Sequence, residues 1–163
     1  MKNLFLFVLL VVTGLMVKAQ QENSIRGFKI GAGANLAIPV SNLPYSTIGA
    51  GVDILASYTV SNNVAITADA GYTALFGKDN FVTTGIIPIR LGFRYLPIPE
   101  VYLGAKAGLG IYTLSNTSTN FTAYSIGAGY QFSSKMDVGA AYDGYTQKNS
   151  SFGYLNLRLG YTF

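Results

Sequence analysis

The residues of this chain with side chains suited to chemistry are nine charged groups set at alternating positions within apolar segments. They are Lys29, Asp53, Asp69, Arg90, Arg94, Lys106, Asp137, Asp143 and Arg158. The chain contains no His and no Cys, so the usual general base, the thiol nucleophile and the thiolate metal ligand are all missing. Enzymatic activity that depends on any of these groups is therefore excluded.

The remaining chemistry of these side chains is ionic. Two aspartates such as Asp53 and Asp69 can share one proton, but the Arg and Lys residues expected beside them favour ionised carboxylates in ion pairs. The glycine-rich stretches at residues 31–35 and 108–110 are not phosphate-binding loops, because no predicted helix follows either of them. Lys and Arg do not form the basic stripe of a nucleic-acid-binding protein. We therefore expect no enzyme, no cofactor, no metal site and no nucleic-acid partner.

Eight segments in which apolar and polar residues alternate must position these side chains. A period of two is the repeat of a β-strand with one apolar and one polar face. We expect a bulge or a late strand start at Ile86 to Pro88, because proline cannot donate a hydrogen bond to a β-ladder. The predicted strands cover residues 27–38, 47–59, 64–76, 87–96, 101–112, 122–132, 136–145 and 155–163.

The connections and the aromatic residues distinguish two ends of the predicted set of strands. Short turns are predicted at residues 61–63, 97–99 and 133–135, and longer polar loops at residues 39–46, 77–84, 113–121 and 144–151. Aromatic residues at strand ends are expected to form two belts, as they do at membrane interfaces. The belt at the turns comprises Phe28, Tyr58, Tyr95, Tyr130, Phe132, Tyr161 and Phe163. The belt at the loops comprises Tyr72, Phe76, Tyr124, Tyr142 and Tyr154.

The sorting of polarity favours a barrel with its apolar face outward. One face of every segment is nearly free of charge, whereas the other carries Lys, Arg and Asp between small residues. A soluble barrel has the opposite arrangement, with its charged face toward water. Half of the residues are hydrophobic and only 11% are charged, and a closed barrel satisfies all backbone polar groups within lipid. The predicted fold is all-β, an eight-stranded antiparallel up-and-down transmembrane β-barrel.

The amino terminus has the pattern of a cleavable Sec-type signal peptide. Lys2 gives a positive start, an unbroken apolar run covers residues 4–12, and Val17 and Ala19 suit the positions before a cleavage site. The apolar stretch is shorter than the ~18 to 20 residues of a spanning helix. Cleavage is predicted between Ala19 and Gln20. The chain is thereby divided into a signal peptide, residues 1–19, and a barrel domain, residues 20–163.

The final predicted strand carries the most recognisable pattern of the chain. Large apolar residues alternate with polar ones through Leu157, Leu159 and Tyr161 and end on Phe163. With the strand count and the export signal, this strand resembles the small eight-stranded outer-membrane β-barrel proteins of the A/X type, a porin-like family. The resemblance covers residues 25–163. It implies a monomer in the bacterial outer membrane, surrounded by outer-membrane lipid and inserted by the barrel-assembly machinery through those four residues.

Within such a barrel the nine charges face a narrow lumen. Isolated charges away from water are costly, so opposite charges are expected to pair. Position along the strands puts Asp53, Asp69, Arg90, Lys106, Asp143 and Arg158 at similar depth, with Lys29, Arg94, Gln131 and Asp137 nearer the turns. The favoured function is a structural or surface-interaction role with a plugged lumen. The alternative is a narrow porin-like channel for ions or small solutes, and a ligand site is a third reading.

Overall fold

Eight antiparallel strands close on themselves in the computed structural model. It describes residues 27–41, 46–77, 83–114, 117–148 and 150–163. Each strand pairs with the next one and the last pairs with the first, so the predicted all-β barrel is confirmed. The strands are β1 (Phe28–Ser41), β2 (Ser46–Ser61), β3 (Val64–Gly77), β4 (Thr84–Ile98), β5 (Val101–Leu114), β6 (Thr117–Gln131), β7 (Met136–Gln147) and β8 (Ser150–Thr162).

The described residues do not include the amino terminus. The predicted cleavage site at Ala19 and Gln20 lies outside the described residues, as does the whole of the predicted signal peptide. Among the residues that are described, no helix has the length and apolar character needed to cross a membrane.

The two ends of the barrel are distinguished by their connections. At one end, here the turn end, lie residues 62–63, 99–100 and 132–135, together with the first described residue and the final one. At the other, the loop end, lie the strand ends Ser41 and Ser46, Gly77 and Thr84, Leu114 and Thr117, and Gln147 and Ser150. Every described strand therefore runs between the same two ends, and positions along a strand measure depth in the barrel.

Through the middle of each strand, side chains alternate between an apolar outer surface and the interior, and register shifts occur only near strand ends. The outward side chains of Val52, Leu91 and Ile126 expose 62%, 68% and 65% of their surface. The nine charged residues of the described strands all occupy the inward positions of the alternation. A continuous apolar belt of this size is far larger than the patches that soluble proteins expose. The outer surface is therefore built for contact with an apolar medium.

Strand β4 passes through Pro88 without a bulge, so the expected bulge or late strand start is wrong. The strand begins at Thr84 and its ladder with β5 runs without a register shift across Pro88. On the β3 side the pairing stops at Ala70↔Ile89 and resumes in the same register at Thr73↔Ile86. Pro88 therefore interrupts only the ladder with β3, and β4 remains paired with both of its neighbours.

Two of the four connections predicted as longer loops are mostly strand. Residues 113–121 contain the end of β5 and the start of β6, and residues 144–151 contain the end of β7 and the start of β8. Ladder pairs such as Thr113↔Ser118 and Tyr145↔Phe152 continue to the loop end. Polar composition predicted loops here, but Thr and Tyr favour strands when a partner strand is available.

The aromatic belts lie where they were predicted, with one exception. All seven residues of the turn-end belt are exposed on the outer surface. At the loop end, the outward rings of Tyr124 and Tyr142 lie against Gly144 and Gly153 of the adjacent strands. Tyr154 is the exception: its side chain is fully buried in the interior, because even-numbered positions of β8 point inward. Its assignment to the outer belt is therefore wrong.

Candidate functional site

The lumen is filled by three layers of side chains, stacked from the loop end to the turn end. The first layer is aromatic, and we call it the aromatic layer. It comprises Ala37, Leu75, Ile86, Tyr112, Phe121, Ala123, Tyr145, Phe152 and Tyr154. Below it lies the Arg90 cluster, formed by Asp69, Arg90, Lys106, Asp143 and Asn156. Nearest the turn end lies the Arg158 cluster, formed by Asn35, Asp53, Tyr102, Asp137 and Arg158.

The aromatic layer closes the loop end with rings in direct contact. The rings of Tyr145 and Phe152 stack with their centroids 4.9 Å apart, and Phe121 meets Phe152 edge-on at 5.2 Å. The hydroxyls of Tyr145 and Tyr154 share a hydrogen bond of 2.9 Å, which satisfies both buried phenols. Because the rings are packed and the two hydroxyls are hydrogen-bonded to each other, this layer is expected to exclude water.

Sequence reasoning missed the aromatic layer. Phe121 and Tyr145 fell at the edges of predicted loops or strands, and Phe152 lay beyond the predicted start of its strand. Extending the alternation of β6, β7 and β8 toward the loop end places all three side chains inward. The alternation gave the correct inward direction for these three side chains, but the predicted strands were too short to include them.

The Arg90 cluster is an ion-pair network at mid-depth. The Arg90 guanidinium contacts Asp69 at 2.7 Å and Asp143 at 3.0 Å, and the Lys106 ammonium lies 3.4 Å from Asp69. The side chains of Asp69, Arg90 and Asp143 are at most 5% exposed. Two cations and two carboxylates therefore balance within the layer. Because the pairing partners are buried, each charge depends on the others for compensation.

The Arg158 cluster joins strands on both sides of β1. Arg158 donates to Asp53, with Nη2 2.8 Å from the carboxylate oxygen, and contacts Asp137 at 3.2 Å. The Tyr102 hydroxyl donates to Asp137 at 2.9 Å. Both carboxylates of the cluster are thus held by the same guanidinium.

A glycine on β1, Gly33, makes this cluster possible. Gly33 is the ladder partner of Asp53, and a Cβ at Gly33 would lie 2.6 Å from Arg158 Nε. The guanidinium therefore crosses over the bare backbone of β1 to reach Asp53. On the polar face, glycine provides the room that long charged side chains need.

The observed pairing differs from the predicted layering. Asp53 and Arg158 were expected at the depth of Arg90, with Asp137 in a separate group nearer the turns. Instead Arg158 pairs with both Asp53 and Asp137. The strands of a barrel are staggered by its shear, so residues at equal distance from their strand ends do not lie at equal height.

Two of the predicted charges have no carboxylate partner. Among the described residues, neither Lys29 nor Arg94 lies within 4.0 Å of a carboxylate oxygen. Lys29 is exposed at the turn end. Arg94 is only 9% exposed and stacks over the Tyr102 ring, with its guanidinium carbon 4.0 Å from the centroid. Neither side chain takes part in the ion pairs of the two clusters.

Little space remains between the layers. A cavity of about 60 Å³ lies among both charged clusters, and a second of about 40 Å³ lies at the turn end beside Arg94 and Lys29. A water molecule occupies ~10–15 Å³ on this scale, so each cavity has room for a few waters. Within the described residues, no group of three or more Asp or Glu side chains is arranged to hold a metal ion.

Neutralising Asp69 should lower stability without creating an activity. Asp69→Asn removes the carboxylate that contacts both Arg90 and Lys106, so a loss of about 1–3 kcal/mol in the free energy of unfolding is expected. The measurement is urea unfolding of the refolded barrel in lipid vesicles. Equal unfolding midpoints for Asp69→Asn and the parent would contradict a structural role for the network.

Known proteins share this architecture. The chain matches the outer membrane protein beta-barrel domain family over residues 7–163, and none of the curated proteins matches it. Ail, the attachment invasion locus protein of Yersinia pestis, has a TM-score of 0.60 at 17% identity, covering 83% of this chain and 97% of Ail. Neisserial surface protein A has a TM-score of 0.58 at 21% identity, covering 88% and 100%. The outer membrane enzyme PagL has a TM-score of 0.56 at 19% identity, covering 80% and 98%.

The structural neighbours are distant in sequence, so their likeness shows the fold alone. The family match is different in kind, because it extends over nearly the whole chain and includes all eight strands. The apolar outer surface and the inward charges have the arrangement that a lipid bilayer requires. The chain therefore belongs to the outer membrane protein beta-barrel domain family and is an integral protein of the bacterial outer membrane.

Proposed function

We propose that the lumen of this barrel is plugged and that the protein serves a structural or surface-interaction role in the outer membrane. The observation that carries the proposal is the aromatic layer, in which Tyr145 stacks on Phe152 directly above the Arg90 cluster. A permeating ion would have to displace packed rings and then pass between charges that already compensate one another. Both steps are costly in a narrow interior.

The same lumen argues against catalysis. The chain lacks His and Cys, and Asp53, Asp69, Asp137 and Asp143 are each paired with a cation. The carboxylates are thus engaged in ion pairs within the lumen, where they fill a structural position. The neighbour PagL is named as an enzyme, so the fold is compatible with catalysis, and the proposal rests on the residues of this chain.

A surface role would use the loop end, where β6 begins. This strand has 15 residues; at ~3.3 Å per residue and a tilt of about 40° it spans roughly 38 Å, more than the ~25 Å apolar band. Its first residues, Thr117 and Ser118, are exposed and polar. Ail and Neisserial surface protein A carry attachment and surface in their names, which favours the same reading here.

Assembly of the barrel would depend on the outward face of β8. Leu157, Leu159, Tyr161 and Phe163 are exposed by 39%, 51%, 43% and 66%, and they form one continuous apolar row. We propose that the barrel-assembly machinery recognises this row during insertion, after which it contacts outer-membrane lipid. A barrel with no unpaired strand edge has no need of a partner subunit, so we propose a monomer.

Conductance of the refolded protein in a planar bilayer tests whether the lumen is plugged. Folding is first verified by a heat-dependent shift in gel mobility. We expect no current steps above background, whereas a large porin inserted in the same membrane gives steps and shows that the bilayer reports pores.

Reproducible steps would overturn the proposal in favour of a narrow porin-like channel. The polar cavity of about 60 Å³ between the two charged clusters is the observation that favours this alternative. In that case Arg90→Glu should change the ion preference of the steps, because Arg90 lines that cavity.

A further inference from the structure

We propose that the turn end of the lumen is a periplasm-facing binding site for a small oxyanion, a phosphate or carboxylate group held by Arg94 between Lys29 and Lys135. The proposal goes beyond the plugged lumen and does not depend on it, because the site lies on the turn-end side of both the aromatic layer and the Arg90 cluster. Its test measures binding, so it is separate from the conductance test.

The distribution of charge in the lumen is uneven. In the Arg90 cluster two cations face two carboxylates. Toward the turn end, Lys29, Arg94 and Arg158 occupy inward positions of the strands, and the inward carboxylates there are Asp53 and Asp137. Both of these carboxylates are already engaged by Arg158. Glu100 and the terminal carboxylate of Phe163 also lie at the turn end, but neither is within 4.0 Å of Lys29 or Arg94. Within the described part of the chain, Lys29 and Arg94 therefore have no carboxylate partner.

Arg94 is the residue of this group best placed to hold an anion. Its side chain is 9% exposed, and its contact among the described residues is with the ring of Tyr102. A ring contacts the flat face of a guanidinium and leaves the N–H groups at its edge unused. The nitrogens of Arg94 are not among the fully buried polar atoms that lack a hydrogen-bond partner, so they reach solvent. An oxyanion with two oxygens would replace that water on the guanidinium fork.

The space beside Arg94 fits such a group. The residues that line the turn-end cavity of about 40 Å³ include Arg94, Lys29, Lys135, Ser57, Ser133 and Thr162. The Ser133 hydroxyl oxygen accepts hydrogen bonds from two backbone N–H groups, which leaves its own proton free to donate. Asp137, the one carboxylate in this lining, is held by Arg158 and by the Tyr102 hydroxyl. The cavity thus offers donors and positive charge in a volume suited to one oxyanion.

The site would be reached from the periplasm. Lys29, Ser133 and Lys135 are exposed at the turn end, and barrels of this family place their short turns on the periplasmic side. Two sources can supply the oxyanion there: a soluble periplasmic molecule, or the phosphate of a lipid headgroup in the inner leaflet.

Side-chain NMR of the refolded barrel in phosphate-free maltoside micelles tests the proposal. Inorganic phosphate, and separately acetate, is titrated against chloride at constant ionic strength. We expect a saturable shift of the Arg94 Nε–Hε resonance. Arg94→Lys keeps the charge but loses the fork, so it should weaken binding by about tenfold or more. Lys29→Gln should weaken it by a smaller factor, while the exposed loop-end variant Lys148→Gln should bind as the parent does.

A second preparation in phospholipid nanodiscs identifies the source. If the Arg94 resonance is already shifted there without added phosphate, a lipid headgroup occupies the site; if it shifts only on titration, the ligand is soluble. Either result supports the site. A non-saturable shift in micelles, or equal affinity in Arg94→Lys and the parent, would overturn it.

Discussion

Replacing Arg90 with Leu is expected to lower the free energy of unfolding by about 3–5 kcal/mol, the cost of removing one partner from a buried ion-pair network. Arg90 is the cation that contacts both Asp69 and Asp143, and all three side chains are almost completely buried. Lys106 approaches Asp69 alone among the carboxylates, so Asp143 loses its cation in this variant. The measurement is urea unfolding in lipid vesicles, followed by gel mobility.

Lys106→Gln is the matched control for Arg90→Leu. Its ammonium is 3.4 Å from Asp69, which keeps its closer contact with Arg90, so a loss of only about 1 kcal/mol is expected. In a double-mutant cycle, Arg90→Leu combined with Asp69→Asn should cost less than the sum of the single changes, because fewer unpaired carboxylates remain. Similar losses for Arg90→Leu and Lys106→Gln would show that Arg90 is not the centre of the network.

Placing a charge on the outer surface at mid-depth should be nearly as damaging. Leu91 lies at the middle of β4 and its side chain is 68% exposed on the apolar face. Leu91→Arg is expected to lower stability by about 2–4 kcal/mol, the cost of an arginine at the bilayer midplane. The same unfolding experiment in vesicles measures it.

The depth dependence of this cost provides its control. Ile98 is the last residue of β4, at the turn end, and is 52% exposed on the same strand. Ile98→Arg should cost only about 0–1 kcal/mol, because a side chain near the interface reaches water. Equal costs at the two positions, or no cost at Leu91, would contradict the placement of this face in lipid.

The residues that bear on the possible roles of the molecule lie at different depths in the lumen. The aromatic layer and the Arg90 cluster bear on whether the barrel conducts, whereas Arg94 and Lys29 bear on whether the turn end binds an oxyanion. Variants in one layer therefore leave the test of the other intact. A barrel that neither conducts nor binds anions would direct attention to the polar β5–β6 hairpin at the loop end.

Alternation along the chain was sufficient to predict the strands and the direction of their side chains. Because successive residues of a strand point to opposite faces, the inward position of Asp69 and the outward position of Leu91 follow from parity alone. The sorting of polarity, with the charged face directed into the barrel, and the low charge content then favoured a membrane barrel over a soluble one. Where alternation passed through polar residues, as at Thr117 and Ser118, the strand length was underestimated.

Depth and pairing within the lumen came from the folded barrel. Arg158 and Asp53 are 105 residues apart in the chain, and they meet because β8 and β2 flank β1 at Gly33. Parity assigns a side chain to the interior but not to a height, since the shear of a closed barrel staggers each strand against the next. For that reason the aromatic layer, the division into two charged clusters and the unpaired Arg94 emerged only when the strands were closed around one another.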